Sequence, residues 1–284
     1  MKTAKEEPFN LQLIYGIVYL SLYLYRKSNG SGELRMDRVK EQRNWMKSNF
    51  REDDDFQSDQ ELKLPQPPLE KPYDKNGKII SLPEVDHSVF TKTSFLDILR
   101  DRRSNRSYTD ESLSLKELSF LLWATQGVKD VRGNNYATIR PVPSAGARHP
   151  FETYLAVRRV EGLKNGVYRY LALTHELLLL FEDENLEERL STVTLNQKFV
   201  GKSAVTFIWS AIPYRGEWRY NVYAHKPMLL DAGHVCQNLY LACEAISCGT
   251  CAVAAYDQEA INSFLNLDGE DEFVVYVSPV GKVK

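Results

Sequence analysis

The alternation of apolar and polar positions divides the chain into helical and extended stretches. Ser114-Leu115-Lys116-Glu117 has the spacing of a capping box, and Leu115, Leu118, Leu121, Leu122 and Ala124 carry a helical stripe to Gly127. Residues 94–103 predict a shorter helix: Ser94 is an N-cap, Phe95, Leu96, Ile98 and Leu99 are apolar, and the basic end suits a helix C-terminus. Further helices are expected over 186–195, 259–265 and 227–247, the last with Pro227 in its first turn and Gly249 beyond its end. Extended runs predict strands over 153–160, 166–170, 176–181, 204–212, 250–256 and 273–277. Helices and strands are mixed without a strict βαβ alternation, which favours the α+β class. No internal repeat is visible.

The N-terminal part follows different rules. Residues 11–25, LQLIYGIVYLSLYLY, are strongly apolar and flanked by Lys2, Lys5, Arg26 and Lys27. A bilayer span needs about 20 apolar residues, so this run is short for one. It also lacks the small-residue cleavage site of a signal peptide. Tyr15, Tyr19 and Tyr23 form an i, i+4, i+8 stripe, so the alternative is an interfacial helix and membrane anchor. Gly30-Ser31-Gly32 reads as a flexible break. From Met36 the sequence resembles the charged start of a soluble protein, and we expect translation to begin there, with residues 1–35 an extension that is not made. Residues 36–92 form a charged arm, in which Pro65, Pro67, Pro68 and Pro72 impose an extended course suited to lying on another surface. The main domain is placed at residues 93–284.

Composition narrows the function. The 284 residues carry a formal charge of −2, which argues against a general nucleic-acid binder. An aromatic content of 11% argues against a disordered chain. Cys236, Cys243, Cys248 and Cys251 sit close together, unlike a secreted disulfide framework, and lack the second CxxC pair of a zinc ribbon. Reduced thiols, a cytoplasmic location and no metal are therefore expected. A cysteine hydrolase using Cys236 or Cys251 is disfavoured, because neither lies in a recognisable nucleophile turn.

Two clusters carry candidate chemistry. Arg102-Arg103-Ser104-Asn105-Arg106 ends a short helix and offers forked donors to a phosphate; the bland alternative is a solvated basic helix end. Pro143-Ser144-Ala145-Gly146-Ala147-Arg148-His149-Pro150 places small residues between prolines, where backbone amides can approach a flat ligand; its alternative is a tight loop. No GxGxxG fingerprint is present.

These clusters, in this order, resemble the nitroreductase family of FMN-dependent oxidoreductases. The likeness rests on RRSNRSY (102–108), LSLKELSFLLWATQGV (113–128), PSAGARHPFETYLAV (143–157), GVYRY (166–170), DAGHVCQNLYLACEAISCGTCAVAAYD (231–257) and SPVGK (278–282). Within the family it is similar to the branch of azoline-oxidising dehydrogenases of thiazole/oxazole peptide biosynthesis, as a stand-alone member. The resemblance implies an α+β sandwich with a mostly antiparallel central sheet flanked by helices. It also implies an intertwined homodimer with FMN at each of two subunit interfaces.

Carried onto this sequence, the resemblance implies that Arg102, Arg103, Ser104 and Arg106 hold the FMN phosphate and ribityl chain, with Gly281 and Lys282 adding a phosphate contact. Pro143, Ser144, Ala145 and Gly146 would line the isoalloxazine ring. The amides of Ala254 and Ala255 would lie near flavin N5 and O4. The helix over 227–247 would form part of the dimer core, where Asp231, His234 and Asn238 read as a satisfied polar network. Arg148 and His149 are candidates to face substrate, and Tyr220, His225 and Lys226 are candidates for any acid/base role.

Azoline-oxidising members carry a Lys-Tyr pair ahead of that helix, whereas this chain has Arg219-Tyr220. Arginine cannot accept a proton at neutral pH, which disfavours azoline oxidation. The expected activity is hydride transfer from NADPH or NADH through FMN to a small flat acceptor, such as a nitroaromatic, quinone or enone. Alternatives are a dehydrogenase of a modified peptide or heterocycle with flavin reoxidised by oxygen, and a non-enzymatic flavin-binding interaction protein.

Overall fold

The computed structural model describes residues 31–48 and 57–284. The chain divides into two units, Met1–Glu52 and Asp53–Lys284. The first contains helix α1 (Ser31–Asn44), so Ser31 and Gly32, read from the sequence as a break, are helical. The apolar stretch 11–25 and its tyrosine stripe lie outside the described residues. Among the described residues no helix is long and apolar enough to cross a membrane.

The second unit runs β1 (Ile79–Ser81), α2 (Phe95–Asp101), α3 (Leu115–Gln126), β2 (Asp130–Arg132), β3 (Ala137–Ile139), β4 (Phe151–Val157), β5 (Gly166–Leu171) and β6 (Glu176–Glu182). It continues with α4 (Leu186–Val193), α5 (Lys198–Gly201), β7 (Val205–Ala211), α6 (Tyr214–Tyr220), α7 (His225–Ala245), β8 (Cys248–Thr250), α8 (Gln258–Phe264) and β9 (Phe273–Lys282). The main sheet has the order β1-β6-β5-β4-β7-β9-β8, and its pairs are antiparallel.

Every residue of β4 and β7 is buried, so both faces of the sheet centre are covered. Phe151, Leu155 and Val157 of β4 join Phe207 and Trp209 of β7 in a core with α3 and α7. Tyr154, Ala156 and Ile208 point to the opposite face, against Leu186 and Leu190 of α4 and Ile261 and Phe264 of α8. This is the α+β sandwich expected from the sequence, with helices on both faces of an antiparallel sheet. The capping box at α3 is present in both directions: Glu117 N–H donates to Ser114 Oγ and Ser114 N–H to the Glu117 carboxylate.

Several elements depart from the sequence reading. The 250–256 strand is shorter and earlier: β8 ends at Thr250, and beyond it only Val253 bridges to Val277. The last strand continues through Pro279 to Lys282. β1, the β2–β3 hairpin, α5 and α6 were not anticipated. β1 adds to the sheet edge beside β6, so residues 57–92 belong to the same unit as the sheet.

The proline-rich segment crosses the sheet end as an extended strap. Proline has no N–H, and an extended chain leaves its carbonyls to be satisfied by other groups. Here side chains supply the donors: Trp218 Nε1 to Leu64 O (3.0 Å), Arg215 Nε to Pro68 O (3.0 Å), and Arg169 to Lys71 O (2.9 Å). Below the strap, Arg215 and Glu152 form an ion pair at 2.5 Å, with side chains 4% and 3% exposed. Glu272 takes Lys71, Tyr154 Oη (2.8 Å) and Ser210 Oγ (2.6 Å). Removing one member of such a pair leaves an uncompensated charge in the interior, so Glu152→Ala is expected to cost about 3–5 kcal/mol in a urea titration. A loss below about 1 kcal/mol, the range of exposed pairs, would contradict this reading.

Candidate active site

Helix α7 organises the candidate residues, because both sequence clusters are fastened to it. Near its start, Asp231 is buried and accepts the Ala145 amide at 3.0 Å, holding the 143–146 loop on the helix. Ser144 Oγ accepts the His149 amide at 2.9 Å, closing the loop on itself. Gly146 has φ +57°, and a Cβ there would lie 2.6 Å from Tyr220 Oη and 2.7 Å from Arg219 Nε. Only glycine meets both constraints without strain.

Further along α7, Tyr240 ties the arginine cluster to the sheet edge. Its hydroxyl accepts the Ala252 amide at 2.8 Å and lies 3.0 Å from Ser104 Oγ. Its ring carries the Arg102 guanidinium at 5.3 Å. Ser104 also bridges to Thr250, so the cluster continues the sheet past β8. Arg102 and Arg103 line a recess of about 560 Å³ together with Lys92, Arg100 and Lys284. Its two side-chain carboxylates, Asp101 and Glu244, both pair with Lys92. Arg106 stands apart from this recess: it stacks over Phe199 at 6.0 Å and lines a separate cleft of about 540 Å³.

The C-terminal candidates have structural commitments. Lys282 forms an ion pair with Glu117, the capping-box residue of α3, so its ammonium is not turned to the recess. Gly281 is buried, and a Cβ on it would meet the Tyr108 side chain at 2.8 Å; its role is close packing. Ala254 and Ala255 are exposed. The Val253 amide is used by Val277, and Ala255 O accepts from Gln197, while the amides of Ala254 and Ala255 donate to nothing among the described residues.

Arg148 and His149, expected to face a substrate, are interior, 5% and 4% exposed. Arg148 packs between the rings of Tyr136 (4.9 Å) and Trp218 (5.3 Å) and donates to Tyr136 O. Burial, reinforced by Arg140, pushes His149 down to about 3. Tyr220 is half-buried beside Gly146, whereas His225 is exposed and paired with Glu217 at 2.8 Å. Lys226 is half-buried beside His225 in the first turn of α7. Asn238 donates to Ala124 O, and His234 is exposed 3.9 Å from Asp231, so only part of the expected polar network is buried. All four cysteines are buried free thiols; burial raises Cys236 to about 11 and Cys248 to about 12, which removes nucleophilic character. Tyr240 and Arg219 were missed as site residues. From sequence, Tyr240 is one residue within the 231–257 motif with nothing to single it out, and Arg219 stands out only as a departure from a family pair.

The buried histidine has a measurable consequence. Folded His149 stays neutral down to about 3, whereas in the unfolded chain it takes a proton near its ordinary value of about 6.5. Between those values the unfolded state binds more protons, so this contribution is complete above about 6.5 and is lost as the pH falls. The stability advantage of wild type over His149→Gln should therefore shrink between about pH 7 and pH 4 in urea titrations. A difference that does not change with pH would contradict the assignment.

With the geometry in place, comparisons with known proteins identify the family. The model of the Nitroreductase family matches residues 99–282. A Methanocaldococcus jannaschii protein that bears the nitroreductase name is 33% identical over 203 residues, covering 72% of this chain and 96% of that protein. A crystal structure from Ralstonia eutropha JMP134, also bearing that name, superposes with a TM-score of 0.61 at 25% identity, covering 78% of this chain and 95% of that one. A chain of the E. coli microcin synthetase complex superposes with a TM-score of 0.54 at 21% identity, covering 71% and 79%, a likeness of fold. The chain belongs to the nitroreductase family, oxidoreductases of the flavin-using type.

Proposed function

We propose that the chain is a cytoplasmic, homodimeric FMN-dependent oxidoreductase that uses NADPH or NADH to reduce a small flat acceptor. The observation that carries this reading is the recess at the end of α2. Arg102 and Arg103 line it and form no ion pair within 4.0 Å among the described residues, and with Lys92 bridging Asp101 and Glu244 the recess keeps an excess of positive charge. An uncompensated arginine pair suits a phosphate dianion, which it meets with forked donors.

The other residues fit the same group. Tyr240 orients the Ser104 hydroxyl beside the arginines, a polar group suited to the ribityl side of the cofactor. The Ser144–Gly146 turn, held on α7 by Asp231, offers small residues and backbone to the ring, with Arg219 and Tyr220 packed against Gly146 beside it. The open amides of Ala254 and Ala255 are donors of the kind that stabilise negative charge on a reduced ring. Bound FMN would supply the redox chemistry, accepting hydride from the nicotinamide and returning it to the acceptor. No acid/base side chain is then obligatory; the half-buried Tyr220 beside Gly146 is the candidate the geometry favours for guiding a proton. Lys282 is left out of the phosphate set because Glu117 holds it.

Exposed apolar residues support a homodimer. Leu229 and Leu230 on α7 are 63% and 58% exposed, and Phe95 and Leu96 on α2 are 64% and 55% exposed. Those surfaces suit burial against a second copy.

Titration of flavin-free protein with FMN, followed by quenching of flavin fluorescence, tests the reading. Wild type should bind stoichiometrically. Arg102→Gln, which removes a charged contact, should weaken binding by about tenfold or more. Tyr240→Phe should weaken it by a smaller factor, with the helical signal unchanged. Absence of binding, or equal affinity in all three proteins, would contradict the proposed site.

A further inference from the structure

Arg219 has the geometry of a recognition residue. Its Nη1 donates to Tyr136 Oη at 2.8 Å, and its guanidinium lies over the Tyr220 ring at 5.6 Å. Its Nε lies 2.7 Å from the position a Cβ on Gly146 would occupy, so the head rests against the turn proposed to line the flavin. Tyr136 is itself fixed: its hydroxyl also accepts from Gln60 at 2.8 Å, and its carbonyl accepts from Arg148. One edge of the Arg219 fork is thereby used for positioning. The Nε–Nη2 edge donates to nothing among the described residues.

The charge balance around this head is one-sided. Arg148 is 5% exposed, its Nε has no partner, and its charge and that of Arg219 disfavour each other. The neighbouring carboxylates are committed elsewhere: Asp231 to the Ala145 amide and Glu217 to His225. Neither forms an ion pair with Arg148 or Arg219 within 4.0 Å. Two guanidiniums beside a ligand-lining turn, with no counter-charge of their own, favour an anion brought by the ligand.

We propose that Arg219 is a specificity-determining residue that binds a carboxylate on the flat acceptor, so that the preferred substrates are aromatic or conjugated acids rather than neutral molecules. The inference rests on the flavin-site reading above, in which the Ser144–Gly146 turn lines the ring on which the acceptor would stack. A planar carboxylate matches the free edge of the fork, and Tyr136 holds that edge in place before binding. Arg148 stays buried and adds its field without touching the ligand.

The test compares 4-nitrobenzoate with 4-nitrobenzamide, which have the same shape and differ in charge. Calorimetric titration of the flavin-loaded protein is expected to give at least about tenfold tighter binding of the acid. In Arg219→Gln this ratio should fall to about one, while the amide's affinity moves by less than about twofold. Arg219→Lys keeps the charge and loses the fork, and should retain part of the preference, which separates recognition from misfolding. A wild-type ratio near one, an unchanged ratio in Arg219→Gln, or failure of both ligands to bind would overturn the proposal. So would a variant that raises KM for NADPH but not for NADH, since the anion would then be the nucleotide's extra phosphate. The binding ratio needs no turnover, so a protein that holds FMN but does not oxidise nicotinamide would fail the hydride-transfer reading and still decide this one.

Discussion

A carboxylate on a strand buried on both faces needs a counter-charge, and Glu152 of β4 finds it in Arg215 of α6. That pair fixes more than its own strand. Arg215 also reaches the strap at Pro68, and Trp218 on the same short helix reaches it at Leu64. The strap, α6 and the sheet end are therefore locked by one set of charges and carbonyls. Because α6 is locked, its last two residues, Arg219 and Tyr220, stand against Gly146. A polar network that stabilises the fold thus sets one wall of the candidate site.

Helix α7 performs the matching task for the rest of the site. Asp231 and Tyr240 are nine positions apart on it, about 13 Å along the axis. The first carries the flat turn, and the second carries the serine and arginines. Asp231 acts through the Ala145 amide, whereas Tyr240 reaches the cluster through the Ser104 hydroxyl and the Arg102 guanidinium and is itself fixed by the Ala252 amide. A rigid helix between two loops is a sound way to keep a phosphate region and a ring region at a set separation.

Much of this architecture was legible where residues interact with near neighbours. The α3 capping box is a contact across three residues, and the extended runs of β4 and β7 are local signals. The short β1, β2 and β3 strands span three residues each, too few for a period to show. Helix α6, YRGEWRY, has a glycine in its first turn and only seven residues, and it persists because the strap and Glu152 hold it. At the site, the two motifs found from sequence are present as compact loops. Side-chain commitments over long separations were not visible: Lys282 is held by Glu117, 165 residues away, and Arg148 is buried between Tyr136 and Trp218. Tyr240 is hidden for the same reason, since it joins Ser104, 136 residues away, to Ala252 beyond the end of its own helix.

The central claim is that these loops hold a flavin able to take hydride from a nicotinamide. Anaerobic mixing of the purified, FMN-loaded protein with NADPH and, separately, NADH tests it most directly. The account predicts loss of the visible flavin band with at least one nucleotide, and its return when a nitroaromatic acceptor is added. A flavin band that persists with both nucleotides would contradict it.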